Sequence, residues 1–166
     1  LHPDCVVAMG EVPRARSHSA DPDERLLAAA VREAVPVPAP DRTLAVVAGG
    51  RRIDVAVETR DTVNAIWTGM MMRQRFDGED RGMLFVYRHR EYRSFFMLNC
   101  FVPIDLAYIR DGRIDQIVPM EPQVGALPDA LRYYESRAAV RHVLEMPAGW
   151  FQRHGVEAGA SVEGLP

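Results

Sequence analysis

The stretch Leu44-Ala45-Val46-Val47-Ala48-Gly49-Gly50-Arg51-Arg52-Ile53-Asp54-Val55-Ala56-Val57-Glu58 decides the fold class. Ile53, Val55 and Val57 recur at every second position, the period of a strand that buries one face. Gly49-Gly50 between two such runs predicts a two-residue hairpin, because both central residues of that turn take a positive φ that glycine tolerates. Similar runs follow at 83–87, 95–98, 104–109, 114–118, 140–146 and 161–163, with Asp111-Gly112 turning the chain before Ile114. Asp61 or Thr62 is placed to cap a short helix over Val63–Thr68 that ends at Gly69, and a second is expected over 148–154 before Gly155. Many short strands with two or three short helices predict a mainly β domain, a small antiparallel β-barrel or sandwich. Trp67 and Trp150, one on each helix, are expected to close the barrel ends.

Residues 1–40 read differently. The first part, with Pro3, Pro13 and a mixture of Arg, Ser and His, lacks an apolar period. Asp21-Pro22-Asp23-Glu24 is a helix start: Asp21 as N-cap, Pro22 at the first helical position, Glu24 placed for a capping box. Leu26, Leu27, Ala30, Val31, Ala34 and Val35 then form one apolar stripe, predicting a helix over about 22–35. Pro36-Val37-Pro38-Ala39-Pro40 stops it and favours an extended connector. The expected organisation is an N-terminal helical arm over 1–40 and a β domain over 41–164. The helix is expected to dock on that domain or on a second copy in a homodimer.

The chain's 166 residues, 48% of them hydrophobic, suit one ordinary domain. Its longest apolar runs fall far short of the ~20 residues of a membrane-spanning helix. A net charge of −3 and a pI near 6.0 argue against nucleic acid as a partner. All 20 basic residues are arginine, so a Schiff-base lysine, a P-loop lysine and a Ser-Lys dyad are absent. No glycine-rich loop joins a strand to a helix, and no cofactor is expected. Cys5 and Cys100 make neither a zinc site nor a disulfide framework, though a single bridge between them stays open. His89, His142 and His154 lack metal-ligand spacing, and no metal is expected. No signal-peptide pattern stands at the start, where residue 1 is leucine, and the compartment is left open.

Few residues carry chemistry. Asp105 sits between Ile104 and Leu106 in an apolar strand, where an unpaired carboxylate is costly. It is either a pocket acid with a raised pKa, or a structural acid held by backbone amides after Pro103 or by an arginine such as Arg141. Asn99 either orients a ligand or bonds its own turn. Six arginines between Arg73 and Arg93 are interleaved with acids and aromatics, and read as a solvated, internally paired face. Met70-Met71-Met72 is adaptable packing material for the core or for a cavity lip.

Five segments, in order, carry a resemblance: Gly69-Met70-Met71-Met72-Arg73, Gly82-Met83-Leu84-Phe85-Val86-Tyr87, Ser94-Phe95-Phe96-Met97-Leu98-Asn99, Val102-Pro103-Ile104-Asp105-Leu106 and Val143-Leu144-Glu145-Met146-Pro147-Ala148-Gly149-Trp150. Over roughly 44–164 the chain resembles the bacterial and archaeal DUF192 (UPF0127) family. The resemblance implies a small, mainly antiparallel β-barrel-like or sandwich domain, often exported, with no established activity. The family usually reads Phe-Trp-Met-Lys-Asn-Thr where this chain has Phe95-Phe96-Met97-Leu98-Asn99-Cys100, so a role needing that lysine is not carried over.

Three functional readings follow. The first is a noncatalytic accessory module that binds a small molecule or protein partner at a barrel mouth lined by Met97, Asn99, Asp105 and Tyr134, with Arg141 nearby. The second is an enzyme with Asp105 as general acid or base and Arg141 or Tyr134 stabilising negative charge. The third is an interaction or oligomerisation module using the N-terminal helix.

Overall fold

The structure, a computed structural model, describes residues 37–166. The expected arm helix over 22–35 and Cys5 lie outside the described residues. The elements in chain order are β1 (Arg42–Ala48), β2 (Arg51–Arg60), α1 (Val63–Thr68), β3 (Arg81–Glu91), β4 (Ser94–Phe95), β5 (Ile104–Arg110), β6 (Arg113–Met120), a 3-10 turn (Pro128–Ala130), β7 (Tyr134–Glu135), β8 (Val140–Pro147), α2 (Trp150–His154) and β9 (Ser161–Glu163).

Seven strands close a barrel in the order β1-β2-β3-β8-β5-β6-β9, with β9 pairing back onto β1 through Val46 and Val162. Gly49 and Gly50, at φ +56° and +75°, make the two-residue β1–β2 turn that pairs Ala48 with Arg51. Neighbouring barrel strands are antiparallel except β2 and β3, which run parallel with Val57 opposite Gly82. The expected all-antiparallel barrel is corrected at this one seam. A parallel pair cannot be joined by a tight turn, and the crossover is made by residues 61–80, which contain α1. Thr62 caps α1 by accepting from the Ala65 N–H at 3.3 Å.

Two further expectations change. The strand expected over 95–98 is only Ser94–Phe95, paired with β7 in a separate two-stranded sheet. Asn99, at φ +53°, then turns the chain away, and the Met97 carbonyl accepts from the Cys100 and Gln123 N–H groups. Trp150 is fully buried in the barrel, its Nε1 donating to Asp80 at 2.9 Å. Trp67 is 65% exposed and closes no barrel end, because α1 buries no residue.

Strand alternation sorts the apolar residues into two cores. Leu44, Val55, Leu84, Ala107, Ile114, Leu144 and Val162, one from each barrel strand, fill the lumen together with Trp150 and Phe151. The other faces of β3, β5, β6 and β8 bury Met83, Phe85, Leu106, Tyr108, Met120 and Val143. Met70, Phe95, Met97, Cys100 and Tyr134, from the connecting segments, cover that outer wall. Two layers of side chains therefore share one stretch of sheet, and every residue of β5 up to Arg110 is buried.

At Gly82 β3 leaves no room for a side chain against β8. A Cβ there would lie 2.8 Å from the Glu145 carbonyl oxygen and 2.6 Å from Met146 Sδ. Gly82→Ala is expected to lower stability by about 1–3 kcal/mol, as overpacking of a filled core does. Urea denaturation measures this, and an unchanged midpoint would show that the two strands separate freely.

Candidate functional site

Glu145 is the residue around which the site is built. Register places it in β8 opposite Met83 of β3 and Leu106 of β5, both members of the outer-wall core. Its chain neighbours Leu144 and Met146 face the lumen, so alternation sends Glu145 to the outer wall. There it is 4% exposed, and its Oε2 has no hydrogen-bond partner among the described residues. Burial pushes its carboxyl up to about 8, against the opposing pull of the Arg60 and Arg73 guanidinium groups.

Glu145 is one of the residues lining a cavity of about 150 Å³. Its walls come from α1 and the following turn (Ile66, Trp67, Met70, Met71), from β3 (Phe85, Tyr87), from β4 and the residue after it (Phe95, Phe96), and from Cys100. Exposed Trp67, Thr68 and Ser94 stand at its edge. The rings interlock edge to face: Phe85 with Phe95 at 5.0 Å and Trp67 with Phe96 at 5.6 Å between centroids. Burial, with Glu145 adding to it, pushes the Cys100 thiol up to about 12, which keeps it protonated and weakly nucleophilic at neutral pH. Burial likewise raises the Tyr87 hydroxyl, partly offset by Arg93, whose guanidinium lies 3.8 Å from the Tyr87 ring centroid.

A buried ion network supplies the two arginines that act on Glu145. Arg73 grips Glu58 with both terminal nitrogens, Nη1 to Oε2 at 2.5 Å and Nη2 to Oε1 at 3.1 Å. Arg60 makes a second ion pair with Glu58. Of the stretch read from sequence as a solvated, internally paired face, Arg75 pairs with Asp77 and Arg93 with Glu91 inside it, while the structure corrects the reading for Arg73. Arg73 is 7% exposed, and its partner comes from β2 across the crossover. Arg90 likewise pairs outside the stretch, with Asp111.

The residues singled out from sequence do not form one group. Met97 and Tyr134 share the outer-wall core, where the Tyr134 hydroxyl accepts from the Glu121 N–H at 3.2 Å. Asn99 sits on the adjoining turn, its Oδ1 accepting from the Gly125 N–H at 3.3 Å. Asp105 falls on the other face of β5, in step with Ala107 and Ile109 of the lumen core. Its Oδ2 accepts from the Gly149 N–H at 2.8 Å, at the N-terminus of α2. Burial raises its pKa, while that N–H and the Arg153 guanidinium pull the other way. Arg141 is exposed at the far end of β8 and donates to the Tyr87 carbonyl at 3.0 Å. Asp105 pairs with Met146, five positions along β8 from Arg141, a separation of about 16 Å at strand rise. Among the described residues no group of three or more His, Cys, Asp or Glu is placed to hold a metal ion, and no helix is long and apolar enough to cross a membrane.

Asp105→Ala is expected to cost about 1–3 kcal/mol, because it leaves the Gly149 N–H without its acceptor in a part-buried site. Asp105→Asn keeps an acceptor and should cost less. Thermal unfolding of the two variants checks the order.

Glu145 escaped the reading of the sequence although it carries the signal that drew attention to Asp105, one acid inside an apolar strand. Glu58 and Arg73 gave no local signal, since fifteen positions and a crossover separate them.

Comparison with known proteins agrees with this architecture. No curated protein matches the chain. A protein of solved structure from Sinorhizobium meliloti 1021, described as a candidate transcription regulator, is 29% identical with a TM-score of 0.69, over 78% of this chain and 98% of its own. A protein of unknown function from Novosphingobium aromaticivorans DSM 12444 is 22% identical with a TM-score of 0.64, over 90% of this chain and 99% of its own, a likeness of fold alone. The profile of DUF192, "Uncharacterized ACR, COG1430", matches residues 45–164, the whole of the barrel beyond the start of β1. The chain belongs to the DUF192 family.

Proposed function

We propose that this domain is a noncatalytic binding module for a small molecule, and that its site is the aromatic cavity over Glu145 on the outer wall of the barrel. The mouth expected from the sequence is a less suitable place, because the lumen is packed with Trp150, Phe151 and their neighbours. One observation supports the reading: Glu145, a buried acid whose Oε2 has no hydrogen-bond partner among the described residues, is one of the residues lining an aromatic cavity. Burying such a group costs free energy, and strongly perturbed acids beside cavities cluster at functional sites.

Support for a noncatalytic role comes from the groups that face the cavity. The Cys100 thiol stays protonated, and no histidine stands beside it among the lining residues. The three residues of the enzyme reading lie apart, with Asp105, Tyr134 and Arg141 each engaged by a different backbone group.

Benzene, which enters an apolar cavity of about 150 Å³, is a neutral probe of this space. In protein carrying ¹³C-methyl methionine, benzene is expected to shift the Met70 and Met71 signals and leave Met146 in the lumen unmoved. Cys100→Leu, which takes up part of the cavity, should weaken the shifts. Shifts at Met146 alone, or none at all, would overturn the site.

A further inference from the structure

Resting on the proposed site, we infer that the cavity takes a compact organic cation, an alkylammonium or quaternary ammonium group, with Glu145 as its counter-ion and the aromatic rings as its walls.

The chemistry of the lining points one way. Glu145 is the carboxylic acid on the wall, and no basic residue lines the cavity among the described residues. Trp67, Phe85, Tyr87, Phe95 and Phe96 surround it, and aromatic faces attract cations through the ring quadrupole. Arg93 already stacks a cation on Tyr87, 3.8 Å from the ring centroid. The volume of about 150 Å³ restricts the guest to roughly the size of benzene. A bare metal ion is poorly matched, because hard cations need several oxygen ligands and the lining offers one carboxyl among apolar groups. An anion would meet a carboxyl and no basic residue among the lining.

Binding is coupled to a proton. In the empty site near neutral pH Glu145 is largely protonated, its carboxyl having been pushed up to about 8. An ammonium group binds the ionised form, so the Glu145 proton leaves to solvent as the cation enters, and charge is conserved. The groups that act on Glu145 are Arg60 from β2, Arg73 from the crossover, Tyr87 from β3, Cys100 from the turn after β4 and Tyr108 from β5. The two arginines favour the ionised form, but Glu58 already holds both of them. Burial keeps Tyr87, Cys100 and Tyr108 protonated over the range that matters.

Tetramethylammonium and tert-butanol are probes of similar size, one a cation that does not titrate and the other neutral. Calorimetry between pH 6 and 9 is expected to show tetramethylammonium affinity rising about tenfold per pH unit up to about pH 8 and then levelling. Glu145→Gln should lower that affinity at least tenfold while the benzene shifts persist. Trp67→Ala, at a residue 65% exposed, should weaken it about three- to thirtyfold without loss of fold. A neutral acceptor that bonds the protonated acid would behave oppositely, with tert-butanol binding falling above pH 8 and surviving in Glu145→Gln. That result, or tetramethylammonium binding independent of pH and of Glu145, would overturn the cation. Failure of benzene to bind overturns the cavity itself, so the two failures are distinguishable.

Discussion

Glu58→Ala is expected to destabilise the domain by about 3–5 kcal/mol, the usual cost of removing one partner from a buried ion pair. Glu58 is 9% exposed and holds two guanidinium groups, those of Arg73 and Arg60. Its removal leaves both cations in a region with little water, and the Arg60 Nε has no hydrogen-bond partner among the described residues even before the substitution. Arg73→Met should cost less, because Arg60 still neutralises Glu58. The double variant Glu58→Ala/Arg73→Met should recover part of the loss, since one of the stranded charges is gone. Urea denaturation at neutral pH gives the three values. A cost for Glu58→Ala under ~1 kcal/mol would show that water reaches the network.

Glu145→Gln is expected to change the pH dependence of stability more than any other substitution at the site. An acid whose folded-state pKa rises from its ordinary 4.5 to about 8 is protonated in the folded chain and ionised in the unfolded one between those values. Its contribution is complete below about pH 4.5 and is lost as pH rises toward 8, at a little over ~1 kcal/mol per pH unit. The difference in unfolding free energy between the parent protein and the variant isolates this group from every other titration. That difference should shift in favour of the variant by several kcal/mol between pH 5 and 8 and then stay level. A flat difference would mean that Glu145 finds water or a partner when the chain is folded. A gain in stability with a loss of cation binding is the trade-off of a site kept at a cost to the fold.

Local rules made much of this domain legible. Gly49-Gly50 and Asp111-Gly112 mark turns because backbone sterics at positive φ act within two residues. Thr62 marks the start of α1 by its side-chain cap and Gly69 its end by a positive φ, both local effects. The burial of Asp105 was legible from its apolar flanks, but its acceptor role toward Gly149, forty-four positions away, was not. The apolar run of β5 after Asp105 was also a signal that was available, since strands buried on both faces lose alternation. It announced a second covered wall, which the segments around Phe95 and Cys100 provide.

What the sequence by itself determined, then, is a mainly β domain with its turns, caps and strands, and its resemblance over roughly 44–164 to the DUF192 family. These depend on side-chain period, on φ preferences and on motifs that each occupy a few adjacent residues. Only the tertiary structure decided which face each acid takes, that β2 and β3 run parallel, and that Glu58, Arg60 and Arg73 meet. The physical reason is register. A shift of one residue in a strand exchanges lumen for outer wall, and register is set by long-range closure of the barrel and by the 61–80 crossover rather than by any local pattern.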